Sequence, residues 1–306
     1  DGVSRGATAA WVSTATTFTP GAASGAAVIA SGVAWVSGSS TLLPGAATGD
    51  NDVASFIAAV EAADGQSLET GVKSAYSDFI AGCKADGVWD AIKACCIMAG
   101  ARTLAGALVP LRGTAPTNYG FVSGDYNRKT GLKGNGSSKY LDTGRATNAD
   151  PLNNTHLAVY QATNVFANGC LIGSFGDIPT NVAHKINWVG YPFLTLYFYN
   201  RRYAGQSAST ANDRIGFYGS ARNNSSSFTI RSNNTSGTAN KASTSASAAT
   251  YLVFADREGG QNYATASIVN HASQSLSFYS AGEYLDLALL NARVNTLMAA
   301  INSAIA

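Results

Sequence analysis

The sequence predicts a mainly β protein with helical additions. An antiparallel jelly roll or β-sandwich is preceded by an extended N-terminal repeat arm and a three-helix subdomain, and closed by a C-terminal helix. Three observations predict it. Residues 1–49 carry one phrase twice: Ala10-Trp11-Val12-Ser13 returns as Ala34-Trp35-Val36-Ser37, and Pro20-Gly21-Ala22-Ala23 returns as Pro44-Gly45-Ala46-Ala47. Residues 50–98 show apolar positions at helical spacing between capping residues. Residues 156–280 break into short apolar runs separated by Asn, Ser and Gly, the pattern of antiparallel strands joined by turns.

The arm comes first. Both phrases recur at a step of 24 residues, and a repeat of that length is a module that copies without losing register. Its short β-type runs at 28–29 and 33–36 are punctuated by Pro-Gly turns. Ala, Gly and Ser offer little apolar area, and burial stabilises by only about 25 cal/mol per Å². Two copies are therefore expected to lie extended against other subunits, with Trp11 and Trp35 as equivalent anchors.

The helical segment, 50–98, is expected to form a collar. Asp50, Asn51 and Asp52 offer N-cap groups before Val53, Phe56, Ile57 and Val60. Asp64-Gly65 ends that helix. Ser67 is read as the cap of a second, with Glu69 in its first turn and Leu68, Val72, Tyr76, Phe79, Ile80 and Cys83 on its apolar stripe. After Asp86-Gly87, the residues Val88, Trp89, Ile92 and Cys96 predict a third, shorter helix. The β domain is assigned to 99–306. It opens on an irregular, Gly-rich stretch at 99–155, in which Gly131, Gly134 and Gly136 turn the chain before Tyr140-Leu141.

Strands are then expected at 156–160, 170–172, 186–189, 193–199, 214–218, 227–231, 251–254 and 276–279. The tracts 222–227 and 232–249 are read as exposed loops. Leu157 and Val159 share one strand face, which sends His156 to the other. Near the end, Leu287, Leu290, Val294, Leu297 and Ile301 step by three and four, a helix that packs across the sandwich rather than a coiled coil.

Composition excludes several function classes. Charged residues make up 12% and net charge is +2, against roughly 25% charged in average proteins. No field of that strength steers a protein onto nucleic acid or an anionic membrane. No apolar run reaches the roughly 20 residues of a membrane span. Cys83, Cys95, Cys96 and Cys170 have neither C-x-x-C nor zinc spacing, so they are expected as buried reduced thiols in a fold that does not depend on disulfides. The chain opens on Asp1 rather than Met, as a processed chain or a piece of a longer one would.

A search for chemistry finds no catalytic constellation. Gly131-Leu132-Lys133-Gly134-Asn135-Gly136-Ser137 lacks the Lys that follows the last Gly of a phosphate loop. No G-x-S-x-G accompanies His156, His184 or His271, and His184 and His271 are read as standing at loop edges. The acids Asp125, Asp142, Asp177, Asp256 and Glu258 could supply a glycosidase pair, but no local pattern selects one. Calcium would draw on the same Asp and Asn loops, without a dense cluster to mark it. No other cofactor is implied. For glycan binding, Trp188, Tyr191, Tyr199 and Tyr203 lie near Asn187, Asn200 and the pair Arg201-Arg202. Tyr199, Arg201, Arg202 and Tyr203 are the candidate glycan or intersubunit contacts, because Tyr offers an apolar face with a polar handle.

Several stretches between residues 50 and 306 resemble a family of tailed-phage and prophage structural proteins. They include Asp52-Val53-Ala54-Ser55-Phe56-Ile57, Gly100-Ala101-Arg102-Thr103-Leu104-Ala105-Gly106, Gly131-Leu132-Lys133-Gly134-Asn135-Gly136, Arg214-Ile215-Gly216-Phe217-Tyr218-Gly219 and Leu276-Ser277-Phe278-Tyr279-Ser280-Ala281-Gly282-Glu283. The resemblance implies a concanavalin-like jelly roll of the laminin-G or pentraxin type. It also implies a non-enzymatic virion component: a fibre, head decoration or spike, or tail appendage, assembled in the bacterial cytoplasm. Its partners would be other virion proteins and sister subunits, as a trimer by analogy, and a host-surface glycan. A lectin-like module and a polysaccharide depolymerase are the alternatives.

Overall fold

A computed structural model of the chain describes residues 28–29, 33–38, 41–44, 50–175, 182–190, 195–202, 205–208, 214–258 and 267–305. The chain divides into two units, Asp1–Ala54 and Ser55–Ala306. In the first, β1 (Val28–Ile29), β2 (Val33–Gly38) and β3 (Thr41–Pro44) form an antiparallel meander.

Then follow α1 (Asn51–Asp64), α2 (Thr70–Ala85), β4 (Ile92–Ile97) and the single turn α3 (Leu104–Ala107). Four short or mid-length strands come next: β5 (Thr117–Tyr119), β6 (Tyr126–Asn127), β7 (Gly131–Lys133) and β8 (Tyr140–Ala146). The central strands are β9 (Thr155–Gln161), β10 (Gly169–Phe175), β11 (Ala183–Val189), β12 (Thr195–Arg202), β13 (Gln206–Ala208) and β14 (Gly216–Arg222). The last are β15 (Phe228–Ser232), β16 (Thr235–Ala239), β17 (Thr250–Val253), β18 (Asp256–Glu258), β19 (Ser267–Val269) and β20 (Ser275–Gly282), before α4 (Leu287–Ala304).

The fold is the expected antiparallel sandwich with a C-terminal helix. One sheet runs β13-β12-β11-β10-β17-β8-β5. The other runs β16-β15-β14-β9-β20-β7-β6, with β4 also paired to β20. The apolar core lies between them, with Leu141, Ile172, Ile186, Trp188, Leu196 and Phe198 facing Leu157, Val159, Tyr218, Phe228 and Leu276. Leu157 and Val159 share the core face as the alternation predicts, and His156 points away from it. The helices cover the outer face of the second sheet. Phe79 of α2 meets Phe278 of β20 edge to face at 5.8 Å. The buried stripe of α4, Leu287, Leu290, Val294, Leu297 and Ile301, is the one predicted.

Three expectations are corrected. The third helix is strand β4, antiparallel to β20 with Cys96 opposite Tyr279 and Ala94 opposite Ala281. Apart from Lys93 its residues are buried on both faces, so the run Ala94–Ile97 shows no alternation and fits a helix as well as a strand. Residues 55–98 fall in the same compact unit as the sandwich, and 50–54 in the other. Helix α2 starts at Thr70, not after Ser67, because Glu61 Oε1 accepts from the Leu68 N–H at 2.8 Å and Arg102 Nε donates to the Ser67 carbonyl at 2.5 Å. Finally, Thr235–Ala239 is a strand in the tract read as loop. Asn233, at φ 51°, makes the tight Asn-Asn turn that pairs Ser232 with Thr235, a hairpin chemistry that suits Asn. The four cysteines are buried free thiols, as expected.

Candidate functional site

The candidate residues of the sequence do not gather at one place. Trp11 and Tyr203 lie outside the described residues, as does the side chain of Trp35, whose backbone pairs with Pro44. Tyr199 is half-buried on the outer face of the first sheet, beside Tyr197 (ring centroids 6.4 Å apart). Lys185 Nζ sits 5.5 Å from the Tyr199 ring and 5.2 Å from that of Phe175. Arg202 is half-buried and gives Nη1 to the Ala242 carbonyl at 3.2 Å.

Arg201 is a correction: it is fully buried and reaches no surface ligand. The cause is a bulge. Lys185 opposes Tyr199, but Ala183 opposes Arg202, so β12 holds one extra residue. Arg201 absorbs it at φ 59°, and the strand's alternation shifts there. Asn200 and Trp188 are buried too, so neither is a surface contact.

A cleft of about 330 Å³ opens near the other end of the same outer face. Asn187 and Val189 of β11 form one wall, Asn168 and Gly169 a second, Asn270 and His271 a third, and Gly136-Ser137 the rim. Asn187 is 6% exposed, and its Oδ1 has no hydrogen-bond partner among the described residues; the same holds for His271 Nδ1. Asn187 pairs across the strands with Tyr197, which sets that ring beside it on the same outer face. On the other side His271 approaches Tyr140 at 6.0 Å, which stacks on the exposed Tyr119 at 4.4 Å and 10°. Below the wall, Asp256 accepts from Asn270 Nδ2 at 2.9 Å and from the Lys185 ammonium, a buried ion pair that is internally neutral.

The arrangement suits binding of a neutral, polyhydroxylated ligand. Amides offer donors and acceptors together, and Tyr rings offer flat apolar faces. Among the acids considered for glycoside cleavage, the side chain of Asp125 is held by Lys139 at 2.5 Å, that of Asp142 by Arg257 at 3.0 Å, and that of Asp256 by Lys185. The Lys139 ammonium and the Val122 N–H hold the Asp125 carboxyl below the usual range, the reverse of what a general acid needs. Asp177 and the Glu258 side chain lie outside the described residues. His184 is corrected: it stands inside β11, fully buried, not at a loop edge. Burial holds it and His156 below the usual histidine range. Among the described residues, no group of three or more His, Cys, Asp and Glu could hold a metal ion.

Asn187 and Tyr199 were in view from the sequence as binding residues and His271 only as an ordinary histidine at a loop edge, whereas Asn168, Asn270 and Tyr119 were not. They span more than 150 residues of chain, and only strand register gathers them. No protein-family model matches the chain, and no curated protein sequence matches it. The phage resemblance therefore rests on its quoted motifs alone.

Proposed function

We propose that the chain is a non-enzymatic structural protein of the tailed-phage virion type. Its repeat arm attaches to sister subunits and other virion proteins, and its concanavalin-like sandwich presents the Asn187–His271 cleft to a host-surface glycan. The observation that carries the binding part is the pair of unpartnered buried polar atoms, Asn187 Oδ1 and His271 Nδ1, in a cleft flanked by Tyr rings. A buried polar atom without a partner costs about 1–3 kcal/mol, which a ligand hydroxyl offsets. The duplicated arm, the sparse charge and the motif resemblance support the virion part.

A glycan array and a host-cell binding assay test the first claim. Native protein is expected to bind, with Asn187→Ala and Tyr199→Ala each weakening affinity about 10-fold or more, as loss of about 1.4 kcal/mol implies. A blank array together with no cell binding removes it. Absence of the chain from purified particles removes the second claim. Incubation with host capsule is expected to release no new reducing ends, which separates binding from depolymerisation.

A further inference from the structure

The interior of the sandwich is apolar over most of its length and polar at one end. Ser174 and His184 are cross-strand partners there, on the same face as the core residues Ile172 and Ile186. Each is 1% exposed. His184 Nδ1 lies 2.6 Å from the Tyr251 hydroxyl. Burial raises the phenol above its ordinary value and keeps the imidazole neutral. With the phenol as donor to Nδ1, the imidazole proton sits on Nε2. That N–H has no acceptor among the described residues, nor does Ser174 Oγ have a partner.

Arg201 completes the group. The extra residue of β12 sets it across from His184, between the pairs Lys185–Tyr199 and Ala183–Arg202. Its Nη2 reaches only the Asp150 carbonyl, at 3.5 Å, while Nε and Nη1 have no acceptor. The carboxylate of Asp150 is taken by Arg145. A second fully buried guanidinium, Arg222, gives its hydrogen bonds to carbonyls and an amide, such as Asn200 O at 2.9 Å and Asn200 Oδ1 at 3.3 Å. Among the described residues, two positive charges thus lie in the interior without a carboxylate hydrogen-bonded to either, and polar atoms of Arg201, His184 and Ser174 lack partners.

We infer that the polar end of the sandwich binds a small inorganic anion of halide size, held by Arg201, His184 Nε2–H and the Ser174 hydroxyl, as a structural ligand of the fold. Water would accept the same hydrogen bonds but leave the charge unmatched; an anion meets both needs. The site is on the opposite face of β11 from the cleft and is independent of the glycan reading.

Thermal unfolding of the native protein, with sodium chloride or bromide replacing sodium gluconate at constant ionic strength, tests it. Gluconate is too large for a buried halide site. The expected result is a saturable rise in Tm of about 3–6 °C, the size that tight binding to the folded state gives a chain of this length. Ser174→Ala is expected to shift the halide midpoint to higher concentration, and Arg201→Met to abolish the dependence. Crystals grown in bromide are expected to show an anomalous peak within hydrogen-bond distance of Arg201. A Tm indifferent to halide, or a bromide crystal without that peak, overturns the inference. Both are read on the native chain, so the decision stands even where Arg201→Met fails to fold.

Discussion

His156 shows what one residue contributes when its surroundings choose its protonation. Its Nδ1 lies 2.5 Å from the Glu283 carbonyl, which can only accept, so Nδ1 carries the proton and Nε2 accepts from Ser280 Oγ at 2.7 Å. Burial depresses its pKa to about 4. In the unfolded chain it titrates near 6.5. Between those values the unfolded state binds a proton that the folded state refuses, so stability is lost as pH falls from 6.5 to about 4. The loss is on the order of 3 kcal/mol, and His184, also depressed, adds to it in the same sense. Urea midpoints are expected to decline across that window in the native chain and less steeply in His156→Gln. Equal midpoints at pH 7 and pH 4.5 would contradict this. The sequence placed His156 opposite to Leu157 correctly, from alternation alone. Its two partners lie more than 120 residues away, which no local pattern encodes. Arg201 was misplaced for a related reason. Nothing in an Arg announces φ 59°, and one extra residue in β12 turned an expected surface contact into a buried charge.

Periodicity marks an element where one face is wet; where both are dry, a short apolar run fits strand and helix alike. Helix α4 and strand β12 announce themselves by periodicity, because solvent writes the polar half of the pattern. Strand β4 does not, since α2 lies on one side and the core on the other; Cys95 and Cys96 are both fully buried. The Asn-rich cleft stayed hidden because its walls come from β11, the β9–β10 connection and the β19–β20 connection. Packing of α4 on the second sheet depends on a gap in β14. A Cβ on Gly219 would stand 2.8 Å from Leu287 Cδ2 and 3.0 Å from the Phe217 ring. Gly219→Val is therefore expected to push the start of α4 off the sheet and destabilise by about 1–3 kcal/mol, the usual cost of overpacking. Gly124→Ala, where a new Cβ meets nothing within 4 Å and φ is ordinary, is expected to stay within about 0.5 kcal/mol of the native chain. Denaturant midpoints of the two variants check the contrast, and equal midpoints would remove α4–β14 contact as a stabilising element.

At the scale of the whole molecule, the two units differ in what stabilises them. Ser55–Ala306 has its own core, with large side chains such as Trp188, Tyr218, Phe198 and Phe278 buried inside it. The arm has a different basis. Its described strands, of two, six and four residues, form a meander, and short two- or three-stranded sheets are marginal without something to pack on. Open strand edges and repeated Trp residues are features that another chain can pair with and cover. Deleting residues 1–49 is therefore expected to leave the sandwich folded, with Tm within about 2 °C of the full chain, since less than about 1 kcal/mol is removed from it. The same deletion is expected to convert an oligomer into a monomer by light scattering. Trp35→Ala and Trp11→Ala are expected to weaken assembly by similar amounts, as equivalent positions of one repeat should. If the truncated chain keeps the oligomeric state of the full one, assembly belongs to the sandwich and the arm has another task. If it unfolds, the arm is part of the core after all, and the division at residue 54 does not describe how the chain is stabilised.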